Sequence, residues 1–211
     1  MKRVLLASNN AKKLAELRRI IAEARLPIEV VGLGDVEPYP EPAETEWTFE
    51  GNALIKARAG VRHTGLPTLA DDSGLSIDAL NQMPGVRSSR WAGPEHDDAA
   101  NLELVLRQID DVPHEARTAS FVAVLALALP DGREFTTTGQ MPGLLAHSRR
   151  GTGGFGYDPI FKATEQVRVG ERLRTNAELG PSEKDAISHR GKAVRAMLPI
   201  LRQALTGQED A

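Results

Sequence analysis

Two different patterns of apolar residues share this chain, and together they limit its fold more than any single motif does. In the first third, short apolar runs alternate with segments of helical spacing. Further on, Ala119 to Leu129, which contains the longest apolar run, Phe121 to Leu129, is followed by Pro130-Asp131-Gly132 and then by Arg133 to Thr138. A turn triplet between two strand-like runs is a hairpin signal. Strand–helix alternation predicts parallel pairing and a hairpin predicts antiparallel pairing, so the chain reads as α/β with a mixed sheet. Phe121 to Leu129 is far shorter than the roughly 20 residues that span a bilayer, and it reads as a buried strand.

The punctuation follows the same scheme. Val4 to Ala7 reads as a strand, broken by Ser8-Asn9-Asn10, with Asn10 as the cap of a helix whose apolar face is Leu14, Leu17, Ile20, Ile21 and Ala24. Ile28 to Leu33 reads as a second strand. Asp35 to Thr45, with Pro38, Pro40 and Pro42, must be an extended loop. Thr48 caps a helix from Phe49 to about Arg62 with Phe49, Ala53, Leu54, Ala57 and Val61 on one face. Thr68 to Ala70 and Leu75 to Leu80 read as two strands separated by a turn at Asp71-Asp72-Ser73-Gly74. Pro84 to Pro94 is irregular, and Asp97 or Asp98 caps a helix with Leu102, Val105, Leu106 and Ile109 inward. A helical region after Pro181 is expected to break near Gly191, with Val194, Met197, Leu198 and Leu201 inward.

Composition excludes several classes. Hydrophobic residues are 41% and charged residues 26% of the 211, which fits a packed globular core. The net charge is -3, whereas binding bulk nucleic acid calls for a basic excess. There is no cysteine, so disulfides, thiolate zinc sites and a cysteine nucleophile are excluded. The apolar stretch Val4 to Ala7 is too short for a signal peptide, so a cytoplasmic protein with no membrane partner is expected.

Four stretches carry chemistry. Ser8-Asn9-Asn10-Ala11-Lys12-Lys13 leads from a strand into a helix, where backbone amides and the helix dipole favour an anion and a lysine adds charge; a plain capped helix reads the same way. Asp71 and Asp72 lie at the end of a strand, where α/β proteins build sites. Mg²⁺ takes one or two carboxylates plus waters and phosphates, and Glu44 or Glu46 offers the second; a surface turn is the competing reading. Gly151 to Pro159 crowds glycines around Phe155 and Tyr157, in a chain with only five phenylalanines and two tyrosines. That suggests close approach to a flat ligand. Lys184, His189, Arg190 and Lys192 are donors suited to phosphate or a keto oxygen, unless they are a solvated basic face. His63, His96, His114 and His147 have no metal-ligand spacing.

Taken together and in order, these stretches resemble the inosine triphosphate pyrophosphatase family, which removes deaminated purine triphosphates. The matching segments are Ala7 to Lys13, Thr48 to Ala53, Ala70 to Leu75, Pro84-Gly85-Val86, Gly153 to Phe161 and Glu183-Lys184 through Gly191. The resemblance implies an elongated two-lobed α/β fold around a long mixed sheet with flanking helices, residues 1–205, and a nucleotide cleft between the lobes. A disordered tail is expected over 206–211. It also implies a homodimer and Mg²⁺ in each subunit, with purine nucleoside triphosphates as the small-molecule partners and no nucleic acid. Position by position, Ser8, Asn9, Asn10, Ala11, Lys12 and Lys13 match the triphosphate turn. Asp72 matches the catalytic acid-base and a metal ligand, and Glu44 a second metal carboxylate, with Glu46 close by. Ser73 matches a substrate contact. Phe155, Gly156, Tyr157, Asp158, Lys184, His189 and Arg190 match the nucleobase pocket. The family turn often reads Thr-Gly-Asn; here Ser8 keeps the hydroxyl and Asn9 tolerates a left-handed backbone. The implied reaction is water attack on the α-phosphorus with loss of pyrophosphate. A nucleotide sensor would not need Asp72 or Glu44, and an RNA-binding protein would need an aromatic platform that the strands lack.

Overall fold

The computed structural model describes residues 2–166 and 172–207. Most of the tail expected from 206, residues 208–211, lies outside the described residues. The strands are β1 (Lys2–Leu6), β2 (Ile28–Val31), β3 (Thr68–Ile77), β4 (Thr118–Ala128), β5 (Glu134–Leu145) and β6 (Phe161–Ala163). The α-helices are α1 (Ala11–Glu23), α2 (Phe49–Thr64), α3 (Asp98–Gln108), α4 (Pro181–Ile187) and α5 (His189–Thr206). The strands form one sheet in the order β2-β1-β3-β4-β5-β6. β1 pairs parallel with β2 and with β3, and β5 pairs antiparallel with β6. The fold is thus α/β with a mixed sheet, as the two apolar patterns predict. No described helix is long and apolar enough to cross a membrane.

The chain divides into two compact units. The first is Met1–Asp72, Ala123–Gly139 and Lys192–Ala211; the second is Ser73–Val122 and Gln140–Gly191. In the first unit, β4 explains its own sequence. Ala123, Leu125, Leu127 and Leu129 face a core with Leu17, Ile20 and Ile21 of α1 and Val194, Met197, Leu201 and Leu205 of α5. The alternate residues Val124, Ala126 and Ala128 face α2 through Ala53 and Ala57, together with Ala70. A strand buried on both faces has no polar alternation to show, which is why the run is apolar throughout. The α2 side is built of small residues, so helix and sheet lie close. Gly60 marks the tightest point: a Cβ there would stand 2.5 Å from Thr68 Cγ2 and 3.1 Å from Leu5 Cδ2.

The second unit has its own core of Leu75, Ile77, Leu102, Val105, Ile109, Met141, Leu145, Tyr157, Ile160 and Phe161. Arg117 is 1% exposed in this unit. Its guanidinium donates to the carbonyls of Ile109 at 2.6 Å, Val112 at 2.9 Å, Asp110 at 3.3 Å and Ala146 at 3.4 Å. These include carbonyls at the end of α3, where helical partners run out.

Helix starts follow the sequence. Asn10 Oδ1 accepts the amides of Lys12 and Lys13, Thr48 caps α2 through Gly51 N–H, and Asp97 caps α3 through Ala99 and Ala100. Several expectations need correction. The strand expected from Leu75 to Leu80 ends at Ile77, where a 3₁₀ turn over Asp78–Leu80 takes over. β2 ends at Val31 rather than Leu33, because a single 3₁₀ turn begins at Leu33. The helical break near Gly191 occurs instead at Ser188, whose ψ of 137° is extended, and Gly191 lies inside α5. The turn at Asp71-Asp72-Ser73-Gly74 does not exist: β3 runs unbroken through it.

Gly60→Val should overpack the α2–sheet contact and lower unfolding free energy by about 1–3 kcal/mol. Denaturant melts of the two proteins, with unchanged slope, are the check.

Candidate active site

The acidic pair stays in strand conformation because each carboxylate is met by a lysine from a different helix. Successive strand side chains point to opposite faces. Lys13 Nζ of α1 donates to both Asp71 oxygens, at 2.9 and 2.8 Å, and Asp71 is only 7% exposed. Lys56 Nζ of α2 donates to Asp72 Oδ1 at 3.3 Å and to Glu44 Oε1 at 3.1 Å. Asn52, one turn before Lys56 on α2, donates to Asp72 Oδ2 at 3.4 Å. Asn52 is fully buried and also holds the loop before α2, accepting Glu46 N–H at 3.0 Å and donating to Glu46 C=O at 3.2 Å. A Cβ at Gly51 would stand 2.6 Å from Glu46 Cβ, so that loop can lie on the helix start only over glycine.

Burial raises the Asp72 pKa, Lys56 opposes it and Glu44 adds to it; the balance lies above the usual carboxylate value. Burial pushes the Lys56 ammonium down, but Asp72 and Glu44 outweigh it and hold its pKa above the ordinary lysine value. The cluster is thus a mutual arrangement in which Lys56 keeps two close carboxylates together.

Glu44 rather than Glu46 is the carboxylate that reaches Lys56; Glu46 takes part through its backbone. Glu44 and Asp72 both lie within hydrogen-bond reach of one cationic nitrogen, which is the donor set a hard divalent cation uses. Among the described residues no three His, Cys, Asp or Glu side chains gather around one point, so an ion there would complete its shell with water and ligand oxygens.

The turn before α1 is already occupied from within. Asn10 Oδ1 takes the Lys12 amide at 3.0 Å and the Lys13 amide at 3.3 Å, and Ser8 Oγ takes the Asn10 amide at 3.3 Å. An anion at this turn would exchange with Asn10. Asn9 donates to Glu41 at 3.4 Å and, with Ala7, Tyr39, Pro42 and Lys56, lines a pocket of about 260 Å³ in the first unit. Lys12 and Ala11 are exposed on the first turn of α1.

The second unit holds a pocket of about 150 Å³ lined by Ser73, Ser88, Asp98, Phe121, Phe155, Lys184, His189 and Arg190, among others. Every nucleobase-pocket residue expected from the sequence lines it, including Gly156, Tyr157 and Asp158. Their roles differ. The Phe155 ring is 68% exposed, an unusual position for a large apolar side chain, with Lys184 Nζ 5.1 Å from its centroid. The His189 ring is stacked on Phe121, centroids 5.2 Å apart and 14° from parallel. Tyr157 instead belongs to the core, 4% exposed with its hydroxyl donating to Ser88 C=O at 2.8 Å. Asp158 is 3% exposed. Its carboxylate accepts Phe155 N–H at 2.9 Å, Asn176 Nδ2 at 3.3 Å and the Lys184 ammonium. It therefore ties the loop together from within.

The glycines of this loop serve its own packing. A Cβ at Gly151 or Gly153 would press on Ala177, and one at Gly154 on the Asp158 carboxylate; Gly151 and Gly154 also have φ of 79° and 75°. Lys56, Asn52, Phe121 and Asp98 are site residues that the sequence reading left out. The signal for Lys56 was present: a lysine between Ala53 and Ala57 on the apolar side of α2.

The chain thus has a mixed α/β sheet, a buried carboxylate–lysine cluster in one unit and an aromatic pocket edged by cations in the other. The chain belongs to the Ham1 family, whose model matches residues 4–200. It is 55% identical over 207 residues to the dITP/XTP pyrophosphatase of Corynebacterium efficiens, covering 98% of this chain and 100% of that protein. The crystal structure of the nucleoside-triphosphatase / dITP/XTP pyrophosphatase from Mycobacterium abscessus superposes with a TM-score of 0.79 at 53% identity, covering 93% of this chain and 99% of that one. A HAM1 protein from Coxiella burnetii superposes with a TM-score of 0.85 at 42% identity, covering 99% and 100%. The resemblance read from the motifs is borne out.

Lys56→Met should leave Asp72 and Glu44 close together without their shared cation, at a cost of roughly 3 kcal/mol near neutral pH. The Asp72 pKa already lies above its unfolded value, and removing Lys56 takes away a lowering influence. A group raised in the folded state stabilises at low pH and loses that contribution as pH rises. The deficit against the wild type should therefore grow from the ordinary carboxylate range toward neutrality, as measured by denaturant melts at several pH values.

Proposed function

We propose that the chain is a nucleoside triphosphate pyrophosphatase acting on non-canonical purine nucleotides, converting inosine, deoxyinosine and xanthosine triphosphates to monophosphate and pyrophosphate. The observation that carries this reading is the Glu44–Lys56–Asp72 cluster, because it joins a cation-binding carboxylate pair to a phosphate-binding ammonium at one point. Relatives named dITP/XTP pyrophosphatase at this identity and coverage support the substrate class.

Glu44 and Asp72 would hold Mg²⁺, which when bound offsets phosphate charge and lowers the pKa of water. Asp72 orients the attacking water and takes its proton. Lys56 and Lys13 bring positive charge to the phosphate oxygens and to the departing pyrophosphate. Lys13 would leave Asp71, and Asn10 Oδ1 would release its amides, as the triphosphate arrives. In the second unit, Phe155 offers a face for the base. His189 and Arg190 offer donors to the keto oxygen at position 6, where adenine carries an amino group instead. A site built to pair one hydrogen-bonding group rejects an analogue lacking it by about 10⁴-fold in favourable cases. The reading extends to a homodimer working in the cytoplasm.

The test is phosphorus NMR of the products with inosine, xanthosine and adenosine triphosphates, with and without Mg²⁺. Monophosphate and pyrophosphate from the first two, slow turnover of the third and loss of activity with chelator are expected. Asp72→Asn should lower kcat about 10²–10⁴-fold with the fold intact. Diphosphate and orthophosphate as products, or wild-type rates in Asp72→Asn, would sink the proposal.

A further inference from the structure

Asp97 and Asp98 both stand at the start of α3, but one cap suffices. Asp97 Oδ1 accepts Ala99 N–H at 2.8 Å and Ala100 N–H at 3.1 Å. Asp98 reaches away from the helix: its Oδ2 accepts the amide of Gly156 at 2.9 Å. Gly156 has a φ of 57°, and its neighbour Phe155 gives its own amide to Asp158 Oδ2 at 2.9 Å. Two consecutive amides of the aromatic loop are therefore held by carboxylates, one from within the loop and one from α3.

The helix is a firm base for such a tie. Leu102, Val105 and Ile109 are at most 1% exposed in the second-unit core. Asn101, also 1% exposed, accepts Ala92 N–H at 2.6 Å and donates to Ser89 C=O at 3.0 Å. Arg149 donates to Ala99 C=O at 3.0 Å and pairs with Glu103 at 2.8 Å. α3 thus holds both the Ser88–Ser89 wall of the pocket and the loop that carries Phe155. The Phe155 ring, 68% exposed, has little packing of its own, so its place depends on the backbone ties on either side of it.

We infer that Asp98 is a positioning residue for the nucleobase pocket: its carboxylate clamps the Gly156 amide and so fixes the Phe155 ring at the pocket wall. The inference rests on the reading of this pocket as the base site. An aspartate in the first turn also favours the helix dipole, and asparagine separates the two roles. It keeps an oxygen acceptor and loses the charge.

The experiment measures kcat, KM and Tm with inosine triphosphate for Asp98→Ala, Asp98→Asn, Asp97→Ala and Phe155→Ala. Losing a charge-assisted hydrogen bond that orders the loop should raise KM about ten-fold in Asp98→Ala, with a much smaller change in kcat and Tm. Asp98→Asn should bring KM back to within about three-fold of wild type, since the acceptor survives. Asp97→Ala should do the reverse, losing a helix cap and lowering Tm by a few degrees (about 2–8 °C) with KM near wild type. A wild-type KM in Asp98→Ala, beside a raised KM in Phe155→Ala, overturns the clamp and leaves the base site standing. A wild-type KM in both overturns the base site itself. The clamp is also overturned if Asp98→Asn is as impaired as Asp98→Ala, or if Asp98→Ala melts as low as Asp97→Ala.

Discussion

Two adjacent carboxylates in the middle of a buried strand are tolerable only because two lysines neutralise them, one on each face. Asp71 takes Lys13 from α1 and Asp72 takes Lys56 from α2. Pairs this buried give up hydration that their attraction only partly returns, so they are weak evidence of stability and good evidence of something else. Here the strand alternation does the sorting. It turns Asp71 toward the Lys13 ammonium and Asp72 toward Asn52 and toward Lys56, which it shares with Glu44. The two helices are thereby fixed to β3 at the residues where chemistry is expected, and Asp72 is left with its pKa above the usual value.

The second unit solves a different problem. As the proposed base site, its pocket would present an aromatic ring to a ligand, and an exposed ring cannot hold itself in place. The loop around Phe155 is therefore stiffened by what lies behind it. Gly151 and Gly153 lie against Ala177, Asp158 is buried among amide and ammonium donors, and Tyr157 is anchored to Ser88. His189 in turn gains its ring plane from Phe121, which packs on Phe161 with centroids 4.6 Å apart. The functional surface is one layer deep over residues whose work is packing.

Local chemistry was readable from the sequence wherever the chain itself carried the cause. Asn10, Thr48 and Asp97 cap helices because their side chains reach amides two or three residues on, and no tertiary knowledge is needed to see it. The hairpin was visible for the same reason. What was hidden depended on partners far away in sequence. Asp71-Asp72-Ser73-Gly74 has turn composition, yet lysines 58 and 16 positions away keep it in the strand. Asp158 and Tyr157 sat inside a motif whose residues line one pocket, but only burial separates them from Phe155, and burial is not written in a motif. The glycines were read as close approach to a flat ligand; the close approach in the structure is to Ala177 and Asp158 within the same chain.

The central claim is that the carboxylate on β3 delivers water to the α-phosphorus. Turnover of inosine triphosphate in ¹⁸O-labelled water, followed by mass spectrometry of both products, tests it most directly. Attack at the α-phosphorus places one labelled oxygen in the nucleoside monophosphate and none in the pyrophosphate, which is the result expected here. Label in the pyrophosphate, with the monophosphate unlabelled, would mean that water meets the β-phosphorus instead and that Asp72 does not serve the step assigned to it.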